Sequence, residues 1–176
     1  MQASTLTLFL LFTSVLSFAQ TDGPSSKTAM EKLSFLAGKW SGSGWQMNQQ
    51  RQKMAFTQTE DIEFLTDGES LLIKGLGKSN NPETGEERVI HNAVALITYD
   101  PEEDRYDFRS FVVGRGSGNH IGHLVADGHF EWFLETPNGK IRYTITINEK
   151  GQWHEIGEFA MGDSWFQFFE MTLDKL

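Results

Sequence analysis

A change of hydrophobic period at Gly38 is the feature that most constrains the fold of this chain. Before it, apolar residues recur at helical spacing from Met30 to Leu36, and Thr28-x-x-Glu31 has the spacing of a capping box, which predicts a short amphipathic helix ending at Gly38. After it, apolar and polar residues alternate along most segments, which is the pattern of β-strands. One helix followed only by strands predicts an antiparallel barrel with the helix closing one end.

Turn residues divide the chain after Gly38 into ten predicted strands. They recur about every 8–12 positions, as in an up-and-down barrel, and several Asp-Gly and Asn-Gly pairs supply the positive φ that tight hairpins need. The longer polar segment Asn80–Gly85 is predicted to be a mobile loop at the barrel mouth. The predicted strands are Lys39–Asn48, Lys53–Leu65, Ser70–Lys78, Arg88–Tyr99, Arg105–Val113, His120–Val125, His129–Glu135, Lys140–Asn148, Trp153–Met161 and Ser164–Leu173.

Residues 1–19 have the pattern of a secretory signal peptide. They carry no charged side chain, hold an apolar run from Leu6 to Phe18 and end with Ala19. The run is shorter than the roughly 20 residues needed to span a bilayer, although an uncleaved anchor is the alternative. Residues 20–27 are polar and predict a flexible leader, so residues 28–176 form the single predicted domain. We expect an exported protein, periplasmic or secreted, with no membrane span after cleavage.

Charge and cysteine content exclude several classes of partner and site. The net charge is −9, which argues against DNA, RNA or an anionic membrane as a partner. The chain has no cysteine, so it can form neither disulfides nor thiolate metal sites, and its stability must come from the core.

Four phrases carry a family resemblance: Phe35–Trp45, Tyr99–Pro101, Ile141–Ile145 and Phe169–Leu173. In these phrases the chain resembles a bacterial family of exported lipocalin-like (calycin-type) domains of unknown function. The likeness covers most of the chain after the leader. It implies an all-β fold, a ten-stranded antiparallel barrel with a short N-terminal helix plug.

A more distant resemblance is to nitrobindin, a ten-stranded haem-binding barrel. It rests on the Gly38-x-Trp40 start and on Thr59–Phe64. This resemblance implies haem as a candidate cofactor, although no cofactor is certain. Nitrobindin holds its haem through a histidine near the C-terminal strands, and His154 lies in the corresponding region within a different phrase.

The aromatic content of 12% allows an apolar cavity with a few polar anchors, the usual form of a small-molecule site in a barrel mouth. We therefore expect a hydrophobic or amphipathic ligand in the barrel lumen, with haem, a fatty acid and an aromatic metabolite all open. An enzyme that uses polar residues of the barrel, or a ligand-free protein-interaction module, is the alternative. The candidate ligand-binding residues are Trp40, His91, Arg109, Trp132, Tyr143 and Glu155.

Two of these candidates depend on which way a strand faces. Arg109 would suit a ligand carboxylate if it faced the lumen, although its alternation with Phe108 favours an outward position. His91 is ambiguous because both faces of its strand are largely apolar. Arg142, by contrast, is predicted to face outward beside an inward Tyr143.

Three histidines invite a zinc site, but their spacing argues against it. Residues three apart on a strand face opposite sides, so His120 and His123 cannot both reach one ion without a bulge. Across the following hairpin we expect His123 to pair with Trp132, and residue 126 to pair with His129. We predict surface and rim histidines and no metal.

Other chemical motifs have plainer explanations. Gly114–Gly118 is followed by a strand rather than the helix that a phosphate loop opens, so we predict a hairpin loop whose Arg115 helps to admit an anionic ligand. The carboxylates of Asp100–Arg105 lack calcium-loop spacing and predict a solvated turn. Glu155 and Glu158 are predicted to face opposite sides, which argues against an acid–base pair. We therefore expect binding rather than catalysis.

The last predicted strand, Ser164–Leu173, has apolar residues on both faces. Phe166 and Phe168 alternate with Trp165 and Phe169, so no single face can be assigned to the lumen. A second apolar face suggests contact with the helix or with a partner. A dimer through the C-terminal strands is accordingly one expected arrangement.

Overall fold

The computed structural model describes residues 25–176. A helix, α1 (Ser26–Glu31), and a 3₁₀-helix (Ser34–Leu36) precede the strands. The signal-peptide prediction and residues 20–24 of the predicted leader lie outside the described residues. The strands are β1 (Gly38–Met47), β2 (Lys53–Leu65), β3 (Ser70–Asn80), β4 (Glu87–Asp100), β5 (Arg105–Val112), β6 (Gly116–Ala126), β7 (His129–Thr136), β8 (Gly139–Ile147), β9 (Trp153–Met161) and β10 (Ser164–Lys175).

The ten strands form one closed antiparallel barrel in sequence order. Each strand pairs with its neighbours along the chain, and β1 pairs with β10 from Trp40–Lys175 to Gln46–Phe169 to close the ring. Closure leaves none of these strands with an unpaired edge. The predicted fold class is confirmed, and every predicted strand overlaps its observed counterpart.

The N-terminal helix is shorter and starts earlier than the sequence predicts. Ser25 is its N-cap, and the Ser25 hydroxyl accepts a hydrogen bond from the backbone N–H of Thr28 at 3.3 Å. The predicted capping box at Thr28 is therefore wrong, because serine caps a helix well and Ser25 stands three residues earlier. The predicted end of the leader at residue 27 is wrong for the same reason. α1 ends at Glu31, and a 3₁₀ turn replaces the rest of the predicted helix.

This N-terminal segment plugs one end of the barrel, as predicted. Met30, Leu33 and Leu36 are fully buried there. The Trp40 indole N–H donates a hydrogen bond to the Leu36 carbonyl at 2.8 Å, and the Tyr106 hydroxyl donates one to the Ala29 carbonyl at 2.8 Å. The plug is thus fastened to the barrel by polar bonds as well as by apolar packing.

A β-bulge in β10 resolves the apparent two-faced pattern of that strand. Gln167 pairs with Glu158 and Phe169 pairs with Gly157, so Phe168 is an extra residue. A bulge resets the alternation of a strand. As a result Phe168, Phe169 and Met171 all lie on the lumen wall. The outer face of β10 keeps Trp165, which is 37% exposed, and a dimer through the C-terminal strands stays a prediction.

A second bulge shifts the pairing of β6 with β7. His123 pairs with Glu131 rather than with Trp132, which corrects the predicted register. Ala126 pairs with His129, as predicted, because the extra residue, Val125, lies between the two pairs. Hairpin geometry predicts the residue pairs next to the turn, and the bulge shifts the register of the pairs farther from the turn.

Within residues 25–176, no helix has the length and the apolar character needed to span a bilayer.

Candidate functional site

The lumen contains a cavity of about 450 Å³ between the plug and the opposite end of the barrel. Small-molecule sites typically have volumes of about 300–1,000 Å³, so the cavity is large enough for a ligand. The connections β1–β2, β3–β4, β5–β6, β7–β8 and β9–β10 all lie at the end opposite the plug, because the strands alternate in direction. Arg115, in the β5–β6 turn, lines the cavity at this mouth.

Three stacked rings form one side of the cavity, and we call them the aromatic wall: Phe108, Trp132 and Tyr143. Phe108 stacks on Trp132 with ring centroids 4.6 Å apart, and Trp132 stacks on Tyr143 at 4.4 Å. Phe169 meets Tyr143 edge-on at 5.7 Å. Stacked rings of this kind stabilise each other. Because Phe108 and Tyr143 cover the two faces of Trp132, the wall turns the edge of that ring toward the lumen.

Inward-facing glycines provide the room that these large side chains occupy. A Cβ on Gly157 would lie 2.8 Å from Cε1 of Tyr143 and 3.0 Å from Cβ of Phe169. A Cβ on Gly75 would lie 2.8 Å from a carboxyl oxygen of Glu60. A side chain at Gly157 would displace the Tyr143 ring, and one at Gly75 would displace the Glu60 carboxyl group, so glycine at both positions shapes the lumen.

We expect Gly157→Ala to displace Tyr143 from the aromatic wall. The new methyl group overpacks the site, which should lower the free energy of unfolding by about 1–3 kcal/mol. Urea unfolding measures that loss, and near-ultraviolet circular dichroism reports the altered packing of Trp132 and Tyr143. Wild-type stability together with an unchanged near-ultraviolet spectrum would contradict this account of Gly157.

Two carboxyl groups are buried in the lumen. Glu60 on β2 is 8% exposed and Glu155 on β9 is 6% exposed, and both line the cavity. The Gln58 amide donates a hydrogen bond to Oε1 of Glu60 at 2.6 Å, while Oε2 of Glu60 has no hydrogen-bond partner within residues 25–176. The Trp153 indole N–H donates to Oε2 of Glu155 at 3.1 Å.

Burial raises the pKa of both acids into the neutral range, so both are partly protonated near neutral pH. Loss of hydration raises the pKa of Glu60 to about 7, against the hydrogen bond from Gln58. Burial, followed by the nearby charge of Glu60, raises the pKa of Glu155 to about 8, while the indoles of Trp153 and Trp132 oppose the shift. A neutral carboxyl group can donate as well as accept hydrogen bonds, so the lumen offers both kinds of contact.

The other titratable groups of the lumen leave it without a permanent internal cation. Burial lowers the pKa of His91, helped by the charge of Arg115, and burial lowers the pKa of His120. The Nε2 of His120 lies 2.9 Å from the Ser110 hydroxyl. Burial and then Glu155 raise the pKa of the Tyr143 phenol. Arg115, at the mouth, is thus the one arginine or lysine among the described cavity-lining residues.

Four of the six residues that the sequence nominates for ligand binding line this cavity: His91, Trp132, Tyr143 and Glu155. Trp40 does not. It is 2% exposed and packs edge-on against Trp153 at 5.8 Å, at the plugged end. Its role in the described structure is to fasten the plug, because its indole N–H already bonds to the plug backbone.

Arg109 lies on the outer surface and is not part of the cavity. Phe108 faces inward, so its neighbour on β5 faces solvent, and the Arg109 guanidinium lies 5.6 Å from the Phe111 ring. This placement corrects the nomination of Arg109 and removes it as a lumen partner for a ligand carboxylate.

His154 does not fit as a haem ligand in the lumen. It projects from the outer face of β9, and its Nε2 lies 3.1 Å from Oε1 of Glu170. Glu158 is also outside, where it accepts a hydrogen bond from Arg142 at 2.7 Å. Glu155 and Glu158 therefore face opposite sides, as predicted.

Sequence reasoning missed Glu60 and Gln58. Both lie on the inward face of β2 with Phe56 and Ile62, where the alternation is regular and readable. Two polar residues on an otherwise apolar face were the available signal. A buried polar group in such a position requires a partner or a function.

No protein-family model and no curated protein matches the sequence. Solved structures that are similar to this chain include the following two. The crystal structure of Rv2717c from M. tuberculosis is 12% identical with a TM-score of 0.63, covering 84% of this chain and 97% of that one. The S-type phycobiliprotein lyase CPES from Guillardia theta is 16% identical with a TM-score of 0.57, covering 88% and 94%. The shared fold is a calycin-like barrel, as predicted.

Proposed function

We propose that the protein binds a hydrophobic or amphipathic small molecule in the barrel lumen. The observation that carries the proposal is the cavity of about 450 Å³ lined by the aromatic wall and two buried acids. A ligand-free interaction module has no need of an open lumen, so the cavity favours binding over that alternative. An apolar ligand body suits the wall because contact with these rings buries apolar surface of both partners.

The polarity of the lumen constrains how an amphipathic ligand enters. A carboxylate at the inner end would lose its hydration and would be repelled by Glu60 and Glu155 wherever these acids are ionised. Arg115 offers a carboxylate a better position at the mouth. A fatty acid would therefore lie with its tail inward, and haem would lack His154 as a ligand.

Binding is proposed rather than catalysis. The name of one structural neighbour describes a phycobiliprotein lyase, which shows that this fold can serve an enzyme. Fold alone does not choose between the two roles. The cavity and its apolar wall are sufficient for a carrier, whereas a reaction would also need a substrate placed against Glu60 or Glu155.

The signal-peptide pattern of residues 1–19 supports a second part of the proposal, that the protein is exported to the periplasm or secreted. Cleavage after Ala19 would leave Gln20 as the mature N-terminus. The intact mass of the protein recovered from an export-competent bacterium tests this directly. A mass that retains Met1–Ala19 would contradict it.

Lumen binding is tested by filling the cavity. Ala93 lines the lumen on β4, and the adjacent Val94 is 41% exposed on the outer face. We expect the neutral fluorescent probe N-phenylnaphthylamine to bind the wild type and the Val94→Phe control. Ala93→Phe should weaken binding about tenfold or more, because the new ring occupies the ligand's space.

Native mass spectrometry of the same proteins, with haem and oleate as further probes, gives the stoichiometry. Equal binding by Ala93→Phe and Val94→Phe would place the probe on the surface and contradict the proposal. So would the failure of every probe to bind the wild type. Circular dichroism confirms that both variants are folded.

A further inference from the structure

Within residues 25–176, the two lumen acids have no positively charged partner. Both side chains are more than nine-tenths buried, at 8% and 6% exposure. The salt bridges of residues 25–176 include neither Glu60 nor Glu155. Buried carboxyl groups normally pair with a cation or are used in a functional site. The pair therefore requires an explanation beyond packing.

The barrel is built to accommodate these acids. Gly75 on β3 leaves the space in which the Glu60 carboxyl group lies, since a Cβ there would approach both carboxyl oxygens, at 2.8 and 2.9 Å. The Gln58 amide and the Trp153 indole each donate to one oxygen of a different acid. Oε2 of Glu60 keeps unused hydrogen-bonding capacity within the described residues.

The aromatic wall is an independent feature of the same cavity. The rings of Trp132 and Tyr143 stack nearly parallel, with an interplanar angle of 10°. Because Phe108 and Tyr143 cover both faces of Trp132, the wall offers apolar contact and no open Trp132 face for the charge itself. An apolar wall beside two acids suits an apolar ring system that carries a positive charge at one end.

We propose that the lumen binds a flat aromatic cation, such as an aryl amidine, whose N–H groups face Glu60 and Glu155 and whose rings lie on the aromatic wall. This assignment rests on the proposed lumen-binding function and adds the chemical class of the ligand. The bound cation supplies a donor for Oε2 of Glu60, beyond the N–H groups of Gln58 and Trp153, and the positive charge that residues 25–176 do not pair with these acids. An anion of the same shape is disfavoured at this inner end.

Cation binding should be coupled to proton release from the acids. The groups facing the lumen are Glu60 on β2, His91 on β4, His120 on β6, Tyr143 on β8 and Glu155 on β9, with Arg115 at the mouth. Within about pH 6–9 the raised pKa values of the two acids lie in the titration range, whereas those of the histidines lie below their usual value. Because a cation favours the ionised carboxylates, affinity should rise with pH across this interval.

The test compares three compounds of one shape, namely naphthamidine, naphthamide and naphthoate, by calorimetry with the full exported protein. Naphthamidine should bind at least about tenfold more tightly than naphthamide, because its charged N–H groups form hydrogen bonds with the acids. Naphthoate should bind most weakly. Glu60→Gln and Glu155→Gln should each remove most of this preference. Glu63→Gln, on the outward face of β2, is the matched control and should retain it.

Equal affinity for naphthamidine and naphthamide would overturn the cation assignment while leaving lumen binding intact, provided that Ala93→Phe still blocks both compounds. An unchanged preference in both acid variants would overturn it as well. Failure of all three compounds, and of N-phenylnaphthylamine, would overturn the proposed function itself. Falling affinity for naphthamidine from about pH 6 to about pH 9 would contradict the coupling to Glu60 and Glu155.

Discussion

Replacing both lumen acids by glutamine, Glu60→Gln together with Glu155→Gln, should make the ligand-free protein more stable than the wild type at about pH 9 and leave it nearly equal at about pH 4. Burial raises both pKa values, to about 7 and about 8, above the ordinary value of 4.5. The folded state therefore holds protons that the unfolded chain releases. The wild type should lose stability as the pH rises from about 4.5 to about 8, and the amide variant should escape that loss.

The expected difference is of the order of several kcal/mol for the pair at high pH, since each unit of pKa shift corresponds to about 1.4 kcal/mol. Other groups also titrate, so the quantity to compare is the free energy of unfolding of the double variant minus that of the wild type at each pH. Urea unfolding from about pH 4 to about pH 9 supplies it. Glu63→Gln controls for the loss of one surface charge. If the free energies of unfolding of the double variant and the wild type changed with pH in the same way, ionising these acids in the folded barrel would carry no energetic cost, and the prediction would be wrong.

The same energetics link stability to function. An acid pair that destabilises the empty barrel at high pH becomes favourable when a cation enters, because the ligand compensates both the charge and the lost hydration. A structural role alone would be served better by apolar side chains of the same volume. The cost of the empty state is therefore an argument that the lumen has a ligand.

The strands could be predicted from the sequence because local signals define them. Lys53–Leu65 and Trp153–Met161 have the predicted bounds, each lying between turn residues and showing alternation along most of its length. In an up-and-down barrel each strand pairs with the next, so correct strands also give correct topology. The helix was less predictable, because Ser25 and Thr28 are both acceptable N-caps, and Ser25 is the one that caps α1.

Which residues face the lumen was harder to predict, because β-bulges reset the alternation of inward and outward side chains. Ile90 is an extra residue in β4, where Gly77 pairs with His91 and Lys78 pairs with Val89. Both Ile90 and His91 consequently line the cavity. In the sequence both faces of β4 are largely apolar, and this pattern does not indicate where the bulge lies. In β10 the extra Phe168 has the same effect.

The sequence could indicate that Glu60 and Glu155 each face the lumen. It could not predict that the two acids lie close together. Glu155 was nominated from its own strand, and Glu60 alternates regularly with inward neighbours. What brings them into one electrostatic environment is barrel closure, since β2 and β9 are separated in the sheet by β1 and β10. Contacts across a lumen follow from the curvature of the barrel, which no local pattern records.

Trp40 and Trp132 should separate stability from binding. Trp40→Ala should lower the free energy of unfolding by about 3–5 kcal/mol, because it empties a buried site and leaves the Leu36 carbonyl without its donor. Affinity for N-phenylnaphthylamine should stay close to wild type wherever the protein remains folded. Trp132→Ala should do the reverse: it removes the central ring of the aromatic wall, so affinity should fall about tenfold or more, with a smaller loss of stability.

Trp40→Phe and Trp132→Phe keep the comparison interpretable if either alanine variant fails to fold. Phenylalanine at position 40 keeps most of the packing but lacks the N–H, so the loss of stability should be about 1–3 kcal/mol. Phenylalanine at position 132 keeps a ring for stacking and should retain more probe affinity than alanine. A fall in affinity caused by Trp40→Phe would indicate that Trp40 contacts the ligand, as the sequence predicts. Wild-type affinity in Trp132→Ala would remove the aromatic wall from the binding site and leave Glu60 and Glu155 as the determinants of what the lumen takes.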